Sequence, residues 1–128
     1  MYIRFVIHYK DEDSGKRMGL FQASRELREA GLVDAYEEEQ LIVIRDWFND
    51  NLEKPDSFSK SRKLNSRDVA ISWFKDSAKE HIAKMYEFKA ILENHGVGVD
   101  VIRTQRPGYI VYQDEHQVTA EPYAETVT

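Results

Sequence analysis

One long stretch of the chain, 78–92, carries apolar residues at three- and four-residue steps, which is the pattern of a helix buried on one side. Ser77 and Glu80 have the spacing of a capping box just at its start. Gly96, which follows the last apolar position, supplies a left-handed stop. The pattern therefore predicts a helix that begins at Ser77 and ends before Gly96.

Two earlier stretches carry the same periodicity. The first stops at Gly31, and the second begins with Asp34 and Glu37, which again have capping-box spacing, and continues to Leu52. Two helices joined by so short a connection predict an antiparallel helical hairpin. A DNA-reading helix-turn-helix is disfavoured, because the acidic start of the second helix would repel phosphates.

Alternating or β-branched apolar runs predict the strands. A strand is expected at 2–9, a short one at 18–21, and further ones at 69–74, 97–104, 109–112 and 117–120. The order of strand 69–74, helix and strand 97–104 predicts a parallel pair with a right-handed crossover. The last two runs flank a polar turn and predict a hairpin.

The run 69–74 has a second interpretation. Ala70, Phe74 and Ala78 also fit four-residue spacing, so a single helix from Ser66 to His95 is the alternative. The β-branched and aromatic residues of the run favour the strand.

Together these elements predict an α+β fold in which residues 1–128 form a single domain. Its order is β-α-α-β-α-β-β-β, with a mixed four- or five-stranded sheet and three helices. We expect a polar loop at 10–17, a basic linker loop at 54–66 and a frayed tail at 122–128.

Composition narrows the class of protein. Hydrophobic residues at 41% and charged residues at 32% are typical of a soluble globular protein. The absence of cysteine excludes disulfides, thiolate metal sites and cysteine nucleophiles. No apolar run has the roughly 20 residues of a membrane span, and the first residues lack a signal-peptide pattern. We therefore expect a cytoplasmic protein without a membrane partner.

The net charge of −5 argues against a general nucleic-acid binder, but basic residues cluster locally. Trp73 and Tyr109 are candidate stacking platforms for a phosphate-binding site built on this cluster. A solvated loop that balances the acidic helix before it is the favoured alternative. The basic candidates are Lys60, Arg62, Lys63, Arg67, Lys75 and Arg103.

Histidines are candidates for acid–base chemistry. His8 and His81 are the two that could converge across the sheet, and an acid–base role for either needs a carboxylate such as Asp100 or Glu80 nearby. No histidine pair has metal-ligand spacing, so no metal and no cofactor are predicted. The favoured interpretation is that these are ordinary interfacial histidines without a role in acid–base chemistry.

Two further surfaces are candidates. The predicted hairpin places apolar and aromatic side chains on both faces, with Tyr109, Ile110, Tyr112 and Val118 as interface residues for self-association. The start of the third helix could bind a small anion near Lys75 and Ser77, with His81 and Arg103 in support. The simpler interpretation is that the first turn of this helix is capped by its own side chains and binds no anion.

Three segments carry a resemblance to known proteins. They read ISWFK, RPGYIVYQDEHQVTAEP and HYKDEDSGKRMGLFQA. In these the chain resembles a group of small, uncharacterised bacterial proteins without an assigned activity. The resemblance implies a bacterial single-domain protein and carries over no functional residue.

We therefore expect a non-catalytic interaction or regulatory module that self-associates as a homodimer. The alternative is a nucleic-acid-binding protein that uses the basic linker. One form of this alternative is a nuclease-like enzyme.

Overall fold

The computed structural model describes residues 1–10, 17–54 and 70–128 and confirms the α+β class and the predicted element order. Within these residues there are three helices: α1 (Leu20–Glu29), α2 (Ala35–Asn51) and α3 (Lys79–Asn94). The six strands are β1 (Tyr2–Lys10), β2 (Arg17–Gly19), β3 (Ile71–Lys75), β4 (Val99–Thr104), β5 (Tyr109–Gln113) and β6 (Gln117–Glu121). None of the helices in this part of the chain has the length and apolar character that crossing a membrane requires.

Helix α2 begins at the predicted capping box. The backbone N–H of Glu37 donates to the Asp34 carboxylate at 2.7 Å, and the N–H of Asp34 donates to the Glu37 carboxylate at 3.3 Å. Two of the N–H groups that a helix start leaves unpaired are thereby satisfied.

Helix α3 begins slightly later than its sequence pattern predicts. The Ala78 carbonyl accepts the first intrahelical bond, from the N–H of Ile82. The helix ends before Gly96, as predicted. The φ of Gly96 is 76°, which is left-handed, and the N–H of Val97 closes the end by donating to the Leu92 carbonyl at 3.1 Å.

The sheet is open, and its strand order corrects one prediction. The order is β2-β1-β3-β6-β5, and β4 pairs with β1. Strand β3 pairs antiparallel with β1 and β6, so the predicted parallel pair between β3 and β4 is wrong. The sheet is antiparallel with six strands, where a mixed sheet of four or five was predicted. Sequence order alone did not reveal that β1 would pair with both β3 and β4.

Contacts within the chain define two compact units. The first contains Met1–Arg4, Leu52–Ile82 and Ile102–Thr128, and the second contains Phe5–Asn51 and Ala83–Val101.

In the first unit β6 lies between β3 and β5, and all five of its residues are buried. The Ser72 and Thr119 hydroxyls hydrogen-bond across β3 and β6 at 2.8 Å, and Trp73 of β3 is buried. Gly108 precedes β5, and a Cβ there would lie only 2.1 Å from the Glu121 carbonyl oxygen. The backbone of the β5–β6 hairpin therefore requires glycine at 108.

The second unit is held by aromatic contacts. The Phe21 ring meets the rings of Phe48 and Phe88 edge-on, with centroids 5.4 and 5.1 Å apart. Phe5 packs in the same way on Tyr86. These contacts join α1, α2, α3 and β1, and edge-to-face pairs contribute about 0.5–1.5 kcal/mol each beyond their burial.

Candidate functional site

A groove of about 610 Å³ runs along helices α2 and α3 in the second unit. Helix α2 lines it at three- and four-residue steps, which places those residues on one side of the helix. Helix α3 contributes the opposite wall. The lining residues are Tyr36, Glu39, Gln40, Val43 and Ile44 from α2, with Lys84, Glu87, Ala90 and Ile91 from α3.

The α2 rim of the groove exposes two large apolar side chains. Tyr36 is 69% exposed and Val43 is 58% exposed, while Ile44 and Ile91 are buried. The Gln40 amide donates to the Tyr36 hydroxyl at 3.2 Å, which ties together two side chains one turn apart. An apolar floor with an apolar rim and scattered charges is the usual form of a protein-binding groove.

Two contacts show that α2 and α3 run antiparallel along the groove. Near the start of α2, the Glu37 carboxylate pairs with His95 Nε2 at 2.9 Å, and both side chains are about four-fifths buried. Near the other end, Lys84 Nζ lies 5.8 Å from the centroid of the Trp47 ring. Glu37 therefore acts twice, in the capping box and in the pair that joins the two helices.

His8 lies beside Asp100, as the acid–base prediction requires. His8 Nδ1 is 3.1 Å from the Asp100 carboxylate, which also pairs with the Arg17 guanidinium. The His8 side chain is 72% exposed, however, so solvent surrounds the imidazole. Acid–base groups usually act in sites that exclude water, and this one resembles a hydrogen-bonded surface histidine. Its acid–base role stays a prediction.

His81 lies in a different compact unit from His8 and has contacts of its own. It is 4% exposed and occupies a buried position on α3, in step with Ala78 and Met85. Its ring lies against that of His116, tilted by 31° with the centroids 4.2 Å apart, and the centroid of the Phe74 ring is 6.2 Å away. His8 thus contacts Asp100, whereas His81 contacts His116 and Phe74.

Asp114 organises the turn that carries His116. Burial would by itself raise the pKa of Asp114, but hydrogen bonds from the His116 N–H, the Gln117 side chain, the Tyr112 hydroxyl and the Gln117 N–H hold that pKa below its usual value. The bonds measure 2.9–3.1 Å. The turn is therefore rigid, and its carboxylate is used structurally.

The predicted hairpin surface is only partly available. Tyr109 is exposed, and Ile110 and Tyr112 are half-buried, but Val118 is fully buried and belongs to the core. Strand β5 lies at the end of the strand order, and its register with β6 shifts between Ile110 and Tyr112. A bulge on an edge strand discourages pairing with another chain.

Some of the basic candidates lie outside the described residues and two lie within them. Lys60, Arg62, Lys63 and Arg67 lie outside the described residues, as does most of the 54–66 linker. Lys75 ends β3 and is half-buried, while Arg103 is exposed in β4. Trp73, a candidate stacking platform, is buried and cannot stack on a base.

The sequence pattern did not single out the groove residues Tyr36, Val43, Lys84 and Glu87. The available signal was the seven-residue spacing of Tyr36 and Val43, which puts both on one side of α2. The buried residues Leu41, Ile44 and Phe48 already account for the apolar periodicity of α2. The second, exposed stripe was therefore not recognised as a separate feature.

Comparisons with protein-family models, with curated proteins and with solved structures give no match to this chain. Among the described residues no group of three histidines, aspartates or glutamates is placed to hold a metal ion.

Proposed function

We propose that this chain is a small interaction module that self-associates and has no catalytic activity of its own. The observation that supports this is the exposed apolar rim of the α2–α3 groove, formed by Tyr36 and Val43. Apolar side chains that line one groove together mark binding surfaces, whereas isolated ones do not. The bacterial cytoplasm is the proposed setting, on the resemblance and the sequence pattern described above.

Self-association through the groove is favoured over the β5–β6 hairpin. The hairpin offers one strongly exposed aromatic residue, Tyr109, on a bulged strand. The groove offers two exposed apolar residues on a regular helix, held in place by the capping box and by the Glu37–His95 pair. Preorganised surfaces lose less entropy on binding, which favours association there.

Sedimentation velocity over a wide range of protein concentration tests the proposal. We expect the mass to rise from the 15.0 kDa of one chain towards twice that value. Tyr109→Asp should leave this rise unchanged, because the hairpin is not the surface used. A wild-type chain that stays monomeric at the highest concentrations would refute self-association.

The second candidate function is nucleic-acid binding. It is supported by the close spacing of Lys60, Arg62 and Lys63 in the sequence. Replacing all three with Glu should abolish salt-dependent binding to single-stranded RNA or DNA, since phosphate contacts carry such affinity. Binding that is unchanged in this variant would remove the linker as the site.

A further inference from the structure

The α2–α3 groove is both apolar and acidic, and this combination defines the chemistry of a ligand other than a second copy. We propose that a basic amphipathic helix of another protein, with lysine or arginine beside its apolar side, binds between α2 and α3. This inference rests on the groove of the proposed function and adds a partner that displaces the second copy there.

Helix α2, which forms one wall of the groove, is strongly acidic. It contains five acidic residues and one basic residue. Three of the five, Glu39, Asp46 and Asp50, are exposed, and Asp46 pairs with the basic residue, Arg45, at 3.1 Å. The three follow each other at seven- and four-residue steps, so they share the side of α2 that carries Val43. This wall therefore presents a row of carboxylates beside its exposed apolar side chains.

The α3 wall adds a further carboxylate. Glu87 is exposed and lines the groove, as does Lys84. Lys84 Nζ lies 3.9 Å from the Glu87 carboxylate and 5.8 Å from the centroid of the Trp47 ring, so groups of its own chain already hold this charge. Because the lining residues include Glu39 and Glu87 but only one lysine, the net charge of the groove is negative.

The shape of the groove suits a helix. Tyr36 and Val43 on one wall are seven residues apart, as are Lys84 and Ile91 on the other, and seven helical residues span about 10 Å. Two turns of a third helix fit this length, with apolar side chains at three- and four-residue steps directed at the groove floor. Ala90 on the α3 wall has a small side chain that allows such a helix to approach closely.

Charge distinguishes the two occupants. A second copy brings a net charge of −5 towards an acidic wall, and like charges repel. A helix with lysine or arginine at the edges of its apolar side brings opposite charges near Glu39 and Glu87. Electrostatic complementarity of this kind speeds association and rejects like-charged partners. We therefore expect the basic helix to bind more tightly than the second copy.

Two designed peptides test the proposal. Both are amphipathic helices of about three heptads with leucine on one side, and the remaining positions carry lysine in one peptide and glutamate in the other. Fluorescence anisotropy of the labelled peptides gives their dissociation constants for the wild-type chain. The lysine peptide should bind at least tenfold more tightly than the glutamate peptide, and this difference should shrink at high salt.

Val43→Ser tests whether the lysine peptide binds in the groove. This variant removes an apolar contact without adding a charge, so we expect it to weaken binding of the lysine peptide about tenfold. Val127→Ser, at an exposed valine outside the groove, should bind like wild type. Equal binding by wild type and both variants would overturn the groove as the site.

A second pair of variants tests the role of charge. Glu39→Gln combined with Glu87→Gln should weaken binding of the lysine peptide several-fold. Glu26→Gln combined with Glu29→Gln removes the same charge from two exposed glutamates of α1 and should leave binding unchanged. Equal losses in the two double variants would show a general attraction to an acidic protein and overturn the proposal.

Sedimentation velocity separates this proposal from self-association. If both are correct, an excess of the lysine peptide converts the dimer into single chains with bound peptide. A chain that dimerises but binds the two peptides equally overturns the basic helix as ligand and leaves self-association standing. A chain that stays monomeric and binds the lysine peptide through Val43 overturns self-association and supports the basic helix. A chain that neither dimerises nor binds the peptide overturns both.

Discussion

Asp114 illustrates how much of this fold depends on single polar side chains. Its carboxylate accepts four hydrogen bonds and has a pKa below its usual 3.8. We expect Asp114→Asn to lower the free energy of unfolding by about 1–2 kcal/mol at pH 7, since charge-assisted bonds are lost from a partly exposed turn. Urea unfolding, followed by tryptophan fluorescence, measures this.

The pH dependence of that difference follows from the direction of the shift. A carboxyl whose pKa is lower in the folded state stabilises the fold above its unfolded pKa. This contribution is lost as the pH falls through the folded value. The gap between wild type and Asp114→Asn should therefore be constant from pH 5 to 7 and shrink below about pH 4. Asp46→Asn, at an exposed carboxylate, is the control, and an equal loss there would contradict this role for Asp114.

Glu37 is the second residue whose removal should be costly. Glu37→Ala removes both the capping-box bond to Asp34 and the pair with His95, so we expect a loss of about 1–2 kcal/mol in unfolding free energy. Glu37→Gln keeps an oxygen for the capping bond and should lose less. Equal losses in thermal unfolding would show that the capping bond contributes nothing.

At the scale of elements, the β5–β6 hairpin depends on glycine at 108. Its φ of 131° is unfavourable for other residues, and an added Cβ would collide with the Glu121 carbonyl. Gly108→Ala should cost more than about 2 kcal/mol of unfolding free energy. Gly19→Ala, where a Cβ meets open space, should cost less than about 1 kcal/mol. Similar losses in chemical denaturation would contradict a steric requirement at 108.

Local signals predicted the elements well, because each depends on residues close in sequence. Asp34 and Glu37 form their capping box, Gly96 ends α3, and the hairpin forms around Asp114. Strand pairing was predicted less well, because whether β3 pairs with β4 or with β1 depends on the whole sheet. The same limit applies to sites: periodicity placed His81 next to the buried stripe, but only the packed structure shows its ring against that of His116.

At the scale of the molecule, the proposed self-association depends on the groove between α2 and α3. The stripe that lines it includes two exposed apolar side chains, Tyr36 and Val43, on a helix that already buries Leu41, Ile44 and Phe48 in the core. A helix with apolar residues on two sides has one side to offer to a partner. We therefore expect Val43, in the groove, to drive association, whereas Val127, which is still more exposed, does not.

The most direct test is the dimer dissociation constant of Val43→Asp beside that of Val127→Asp, measured by analytical ultracentrifugation. Val43→Asp places a charge in both halves of a two-fold interface, so we expect dissociation to increase at least a hundredfold, or about 2.7 kcal/mol. Val127→Asp should match wild type. Equal dissociation constants for wild type and both variants would contradict the claim that the groove is the surface of self-association.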